Sequence, residues 1–255
     1  MGDGSELAAL QPGADGTLAG GGQRLPVPNC RPGPVGLTRE GSWLETARRN
    51  IDLIELAIQV DKDGRAATPD EQVLLSKYVG FGAGEIRNKL FPVPPDYAKR
   101  AEPNRLIWPS HVREPSWKVL AERMEALPHE WQKSVLQSSQ YAHYTNEGII
   151  RSVWSGIERL GFAGGQVFEP GMGIGSFAML MPESVSATST YTGVEFDGPT
   201  ALIARLLSPG QNMLHGDFIK CKFPKDYDGV RPENWDSRHC WHEPEIARVG
   251  FYHLL

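Results

Sequence analysis

The sequence predicts an α/β protein in which a helical region precedes a parallel sheet, and three observations carry that prediction. Apolar residues from Trp43 to about residue 140 recur at helical spacings of three and four. From Tyr141 onward, short strand-like runs alternate with helical ones, as in a parallel sheet with crossover helices. Between the first such run and its helix lies VFEPGMGIGSF, residues 167–177, with glycine at 171, 173 and 175.

Taken in order, residues 1–40 crowd glycine and proline without apolar periodicity and read as a disordered leader. The helical region spans 41–140. Leu44, Ala47, Ile51, Ile54 and Ile58 share one face of a helix that ends near Gly64. Thr68 then offers an N-cap, Pro69 a first helical residue and Glu71 the return contact of a capping box, and this helix leads into the tract YVGFGAG. After the proline-rich FPVPPDY, Trp117, Leu120, Met124 and Leu127 mark another helix. A further helix runs from about Pro128 to Gln140, with Trp131 and Val135 on its apolar side.

Residues 141–230 change texture. Thr145 can cap a helix whose face is Ile149, Ile150, Val153, Trp154, Ile157 and Leu160, with Gly161 as its stop. GQVFEP, TYTGVEF, NMLHGDF and YDGV then read as strands, separated by AMLM and TALIARLL as helical runs.

Composition excludes several function classes. A chain of 255 residues, 40% of them hydrophobic, can fill one large core or two small ones. A net charge of -5 gives no basic field, so any DNA contact is local or comes from another module. Cys30, Cys221 and Cys240 are an odd number set far apart, which points to a reducing compartment, with the bacterial or phage-infected cytoplasm as the expected location. No apolar run approaches the roughly 18 residues of a membrane helix, and Met1 is followed by Gly, Asp and Gly, not by a signal peptide. No membrane partner is expected. His239, Cys240 and His242, with Cys221 and His253, fit no structural zinc spacing, so no metal site is expected either.

The glycine turn carries the chemistry. At the carboxyl end of a first parallel strand, glycine permits positive φ and removes the Cβ atoms that would hold a ligand away. Glu195, closing TGVEFD, is placed to accept both hydroxyls of a ribose. Asp217 and Phe218, closing LHGDF, offer an acceptor for an adenine amino hydrogen and a ring to lie against the base. Together these strand ends describe an adenosine site. An ATP P-loop is excluded, because no Gly-Lys-Ser/Thr follows the glycines. A nicotinamide or flavin dinucleotide stays open, since Gly173, Gly175 and Ala178 fit G-x-G-x-x-A.

YAHYTNEGIIRSVWSGIERLGFAGGQVFEPGMGIGSFAMLMP, followed by TGVEFD and LHGDF, resembles the adenine-N6 DNA methylases of the amino group. It is especially similar to the large phage- and plasmid-borne members that carry a downstream helicase. TARRNIDLIELAIQVDKDGRAATPDEQVLLSKYVGFGAG is similar to the helical segment preceding the methylase in the same proteins, so the resemblance spans roughly Trp43 to Val230. It implies a partial Rossmann-like S-adenosylmethionine-dependent methyltransferase domain preceded by an all-helical region, with S-adenosylmethionine as cofactor and DNA as partner. It also implies that His143, Tyr144 and Thr145 hold the methionine carboxylate, and that Glu169, Pro170, Gly171, Gly173 and Gly175 form the loop around the methionine part. Glu195 would then be the ribose acid, and Asp217 with Phe218 the adenine pair.

In that family a fourth strand, which YDGV resembles, runs into an Asn/Asp-Pro-Pro-Tyr/Phe loop that holds a flipped adenine. Here Val230 is followed by RPENWDSRHCWHEPEIARVGFYHLL, which has no such motif and has the texture of an out-of-frame or degenerated tail over 231–255. No catalytic residue is therefore assigned, and the chain is expected to bind cofactor without transferring methyl. Two other readings stay open: a non-catalytic helical interaction module with a vestigial cofactor fold, and a fragment of a dinucleotide-dependent oxidoreductase.

Overall fold

The computed structural model describes residues 28–32, 41–91, 112–139, 142 and 144–218. YDGV and the tail lie outside them. The described residues form a mixed fold of helices and a small parallel sheet.

Helix α1, Trp43–Lys62, is capped by Ser42 and Glu45 in a reciprocal capping box. It buries Ala47, Ile51 and Ile54 of the expected face together with Ala57 and Val60, while Leu44 and Ile58 are half-buried against the same core. Helix α2, Pro69–Leu75, has the expected Thr68–Glu71 box, with the Glu71 N–H donating to Thr68 Oγ1 at 3.2 Å. Hydrogen bonds from Arg65, and then from the Thr68 backbone, draw the Glu71 carboxyl down to about 2. Helices α3 (Gly84–Leu90), α4 (Pro115–Glu125) and α5 (His129–Ser138) complete the layer. Trp117, Leu120, Met124 and Val135 are buried as the sequence implies, and Trp131 is half-buried against the same core.

Helix α6, Glu147–Arg159, departs from its sequence reading in two ways. Its cap is Asn146, whose Oδ1 accepts the Gly148 N–H at 2.8 Å, and Thr145 stands outside the helix. Asparagine is as good a cap as threonine, and the helix starts one residue later to use it. Ile150, Trp154 and Ile157 are buried, but Ile149 and Leu160 are 57% and 90% exposed. At 100° per residue those two lie about 80–100° around the helix from Ile150, beyond the edge of the buried stripe. The helix ends in a Schellman motif: Gly161 has φ 94, its N–H reaches the Glu158 carbonyl, and the Phe162 N–H reaches Ile157.

Strands β1 (Gln166–Pro170), β2 (Thr190–Glu195) and β3 (Asn212–His215) pair in parallel in the order β1-β2-β3, with Pro170 opposite Val194 and Glu195 opposite His215. All three carboxyl ends therefore share one edge. Short helices α7 (Ser176–Met179) and α8 (Glu183–Ser186) lead from β1 to β2, and α9 (Gly198–Leu207) leads from β2 to β3.

Helix α9 is buried almost throughout: Gly198, Pro199, Thr200, Ala201, Leu202, Ile203, Ala204 and Leu207 are all inside. Ala201 and Ala204 belong to a core with β1, β2, α6 and α7, whereas Leu202, Ile203 and Leu207 belong to the core of α1 to α5. Residues 28–32, within the stretch read as a leader, pack over the far end of α9. The Cys30 N–H donates to the Leu207 carbonyl at 2.7 Å, and Asn29 Oδ1 accepts the Gly210 N–H at 2.8 Å.

Leu120→Ala should lower unfolding free energy by about 2–5 kcal/mol, because Leu120 is fully buried between α4 and its neighbours. Val119→Ala, at a side chain 55% exposed on the same helix, should change it by less than about 0.5 kcal/mol. Urea denaturation of both variants checks the pair.

Candidate functional site

The turn after β1 is folded onto the end of β2. The N–H groups of Gly171 and Met172 both donate to the Val194 carbonyl, at 2.7 and 3.0 Å, and the Gly173 N–H donates to Glu195 Oε2 at 2.9 Å. Gly171 and Gly173 have φ of 70 and 58, which disfavours any other residue. They differ in what surrounds them. A Cβ at Gly171 would meet nothing within 4 Å, whereas one at Gly173 would lie 2.9 Å from the Tyr144 ring. Tyr144 is held from its other edge by Gly80, where a Cβ would lie 3.1 Å from the ring. The tyrosine is thus clamped between a glycine of the helical layer and a glycine of the sheet turn. Asn50, fully buried on α1, fixes the helical side of the clamp by donating to the Gly80 carbonyl and accepting the Val79 N–H.

A cavity of about 950 Å³ opens at this edge. Of the residues singled out in the sequence, Tyr144, Thr145, Glu169, Pro170, Gly171, Gly173, Glu195, Asp217 and Phe218 all line it. Gly175 sits behind the lining as the N-cap of α7, against Met213. His143 lies outside the described residues. The Phe218 ring packs against Phe168 of β1 with centroids 5.7 Å apart.

The cavity's described lining includes four acids, Glu169, Glu195, Asp197 and Asp217, and no lysine or arginine. Glu169 is 3% exposed, and its Oε2 has no hydrogen-bond partner. Burial first, and then the nearby Glu195 carboxylate, push the Glu169 carboxyl well above the usual range. Glu195 is raised by burial too, although the Asp197 and Gly173 N–H groups oppose the shift by donating to its two oxygens. Such a site favours a ligand that brings positive charge and hydrogen-bond donors.

Several lining residues went unnoticed in the sequence. Tyr78, Gly80 and Phe81 come from the YVGFGAG tract and Gln137 and Ser138 from the end of α5, so the helical layer forms one wall. Two aromatics interleaved with three glycines in seven residues were the available signal. Phe196 and Asp197, next to Glu195, also face the cavity, and Phe196 is 46% exposed. Among the described residues, no three histidine, cysteine or acidic side chains group as a metal site, and no helix is long and apolar enough to cross a membrane. The His/Cys cluster of residues 221–253 lies outside the described residues.

Compared with known proteins, the chain matches no family model, no curated protein and no solved structure.

Two predictions follow from the geometry. Gly173→Ala should destabilise the fold more than Gly171→Ala, since both incur the positive-φ cost of about 1–2 kcal/mol but only the first also meets the clamped ring; thermal unfolding ranks them. For pH, Glu169 keeps its proton to higher pH in the fold than in the unfolded chain, so its contribution to stability is present below the usual value of 4.5 and is lost as pH rises toward the folded value. Urea unfolding from about pH 4 to about pH 8 should show Glu169→Gln losing less stability than wild type, whose slope from this group is at most about 1.4 kcal/mol per pH unit.

Proposed function

We propose that the chain binds S-adenosylmethionine at the carboxyl edge of the sheet, as the cofactor-binding part of a Rossmann-like DNA adenine-N6 methyltransferase. The observation that carries this reading is the acidic cavity with the buried, unpartnered Glu169 oxygen. S-adenosylmethionine has a net positive charge from its sulfonium and ammonium groups, and an ammonium hydrogen would supply the partner that Glu169 lacks. A dinucleotide would bring two negative phosphates to a described lining that holds four acids and no lysine or arginine, which disfavours the oxidoreductase reading.

The residues fit the rest of the group. Glu195 accepts the Gly173 and Asp197 N–H groups on its two oxygens and, facing the cavity, would accept ribose hydroxyls as well. Asp217 would accept from the adenine amino group, with Phe218 and Phe196 offering rings for the base. Thr145 and Tyr144, with His143 of the same segment, would take the methionine carboxylate. The cofactor supplies an electrophilic methyl group; these residues bind it, orient it and exclude water from it. The acceptor in this reading is a flipped adenine of DNA, held in the complete family by the Asn/Asp-Pro-Pro-aromatic loop that this sequence lacks. A downstream helicase and a bacterial or phage-infected cytoplasm belong to the same reading. The helical-module alternative is less favoured, because Tyr78, Phe81 and Gln137 of the helical layer line the same cavity.

Calorimetric titration should give binding of S-adenosylmethionine and none of NAD, with Glu195→Ala weakening it at least about tenfold, the equivalent of about 1.4 kcal/mol. Glu169→Gln should weaken S-adenosylmethionine while leaving 5′-methylthioadenosine, which lacks the ammonium, nearly unchanged. A folded wild-type chain that binds neither adenosyl ligand overturns the reading. Methyl incorporation into unmethylated duplex DNA should be absent.

A further inference from the structure

Glu195 does not hold its own position. Its Oε1 is fixed by the Asp197 N–H at 2.8 Å, and Asp197 is itself 2% exposed and fastened through its side chain. One carboxyl oxygen accepts from the Ser134 hydroxyl of α5 at 2.9 Å; the other accepts from the Thr200 N–H at 3.2 Å and from the Thr200 hydroxyl. The Ser134 oxygen also accepts the Gly198 N–H at 3.3 Å. Its single hydrogen could go to the Trp131 carbonyl at 3.1 Å instead, but the acidic acceptor is nearer and stronger. Ser134 is buried, so water does not compete for these bonds. Trp131, one turn before Ser134, packs so close to the start of α9 that a Cβ at Gly198 would lie 3.0 Å from its indole nitrogen.

From this chain of contacts we infer that Asp197 is a positioning residue for Glu195, and that Ser134 makes recognition of the ligand's ribose depend on the helical layer. The inference rests on the adenosine site proposed above. Ser134 sets Asp197, the Asp197 backbone sets the carboxylate, and the carboxylate meets the 2′- and 3′-hydroxyls. Loosening the first link frees Oε1 while the Gly173 N–H still holds Oε2, so the carboxylate can turn away from the hydroxyls. The loss falls on the hydroxyls and leaves the adenine and methionine contacts in place.

The test is a comparison of affinities for S-adenosylhomocysteine and its 2′-deoxyribose counterpart, measured by calorimetry on the full chain. In wild type the ribose form should bind more tightly. Ser134→Ala should weaken the ribose form about threefold to tenfold, as expected for one buried hydrogen bond, and the deoxy form much less, so that the ratio between them shrinks. Ser134→Cys, nearly isosteric and only a weak donor, should shrink the ratio in the same direction, which keeps the test valid if Ser134→Ala does not fold. A ratio unchanged in the folded variants, or equal weakening of both ligands, overturns the inference and leaves the adenosine site standing. Absence of binding by wild type overturns both.

Discussion

Helix α9 is apolar around nearly its whole circumference, and a helix of that kind is stable in water only when covered on both sides. One side lies on the sheet core through Ala201 and Ala204, and the other is covered by α1 to α5 through Leu202, Ile203 and Leu207. The two halves of the chain are therefore joined by a shared buried element. This joint places the YVGFGAG tract and the end of α5 beside the strand ends, so the cavity acquires its second wall from packing that exists to bury α9.

The cavity itself runs against stability. Glu169 is buried with an unmatched oxygen, Glu195 is close enough to disfavour its ionisation, and Asp197 stays inside only because Ser134 and Thr200 satisfy it. Buried acids whose ionisation is displaced in this way are common where a ligand completes the set. Asp197 and Glu169 differ in this respect: the first has its side-chain oxygens satisfied by Ser134 and Thr200, while the second keeps an oxygen without a hydrogen-bond partner.

Much of this was legible in the sequence, because the signals were local. The Thr68–Glu71 box, the stripe of α1, the three strands and the acids at their ends follow from residue spacing alone. Where local rules tied, the structure chose: Asn146 took the cap that Thr145 could have filled, and Ile149 and Leu160 fell outside the stripe of Ile150, Val153, Trp154 and Ile157. The contributions of Tyr78, Gln137 and Ser134 could not be read, because they depend on how the helical layer sits on α9. That placement is set by contacts between residues far apart in the chain. The packing of residues 28–32 belongs to the same class: Cys30 meets Leu207 across most of the sequence, and nothing in a glycine- and proline-rich stretch announces that partner.

The position of α9 also bears on the order in which the protein can acquire its fold. Helices α1 to α5 leave the ribosome first, yet α1, α2 and α5, which pack against α9, lack that partner until it is made. Domains that fold as they emerge do so from complete cores. Here the core of the early half is completed by a segment of the later half. The helical layer therefore waits for α9 before its core is complete, and through that interval it exposes an apolar face.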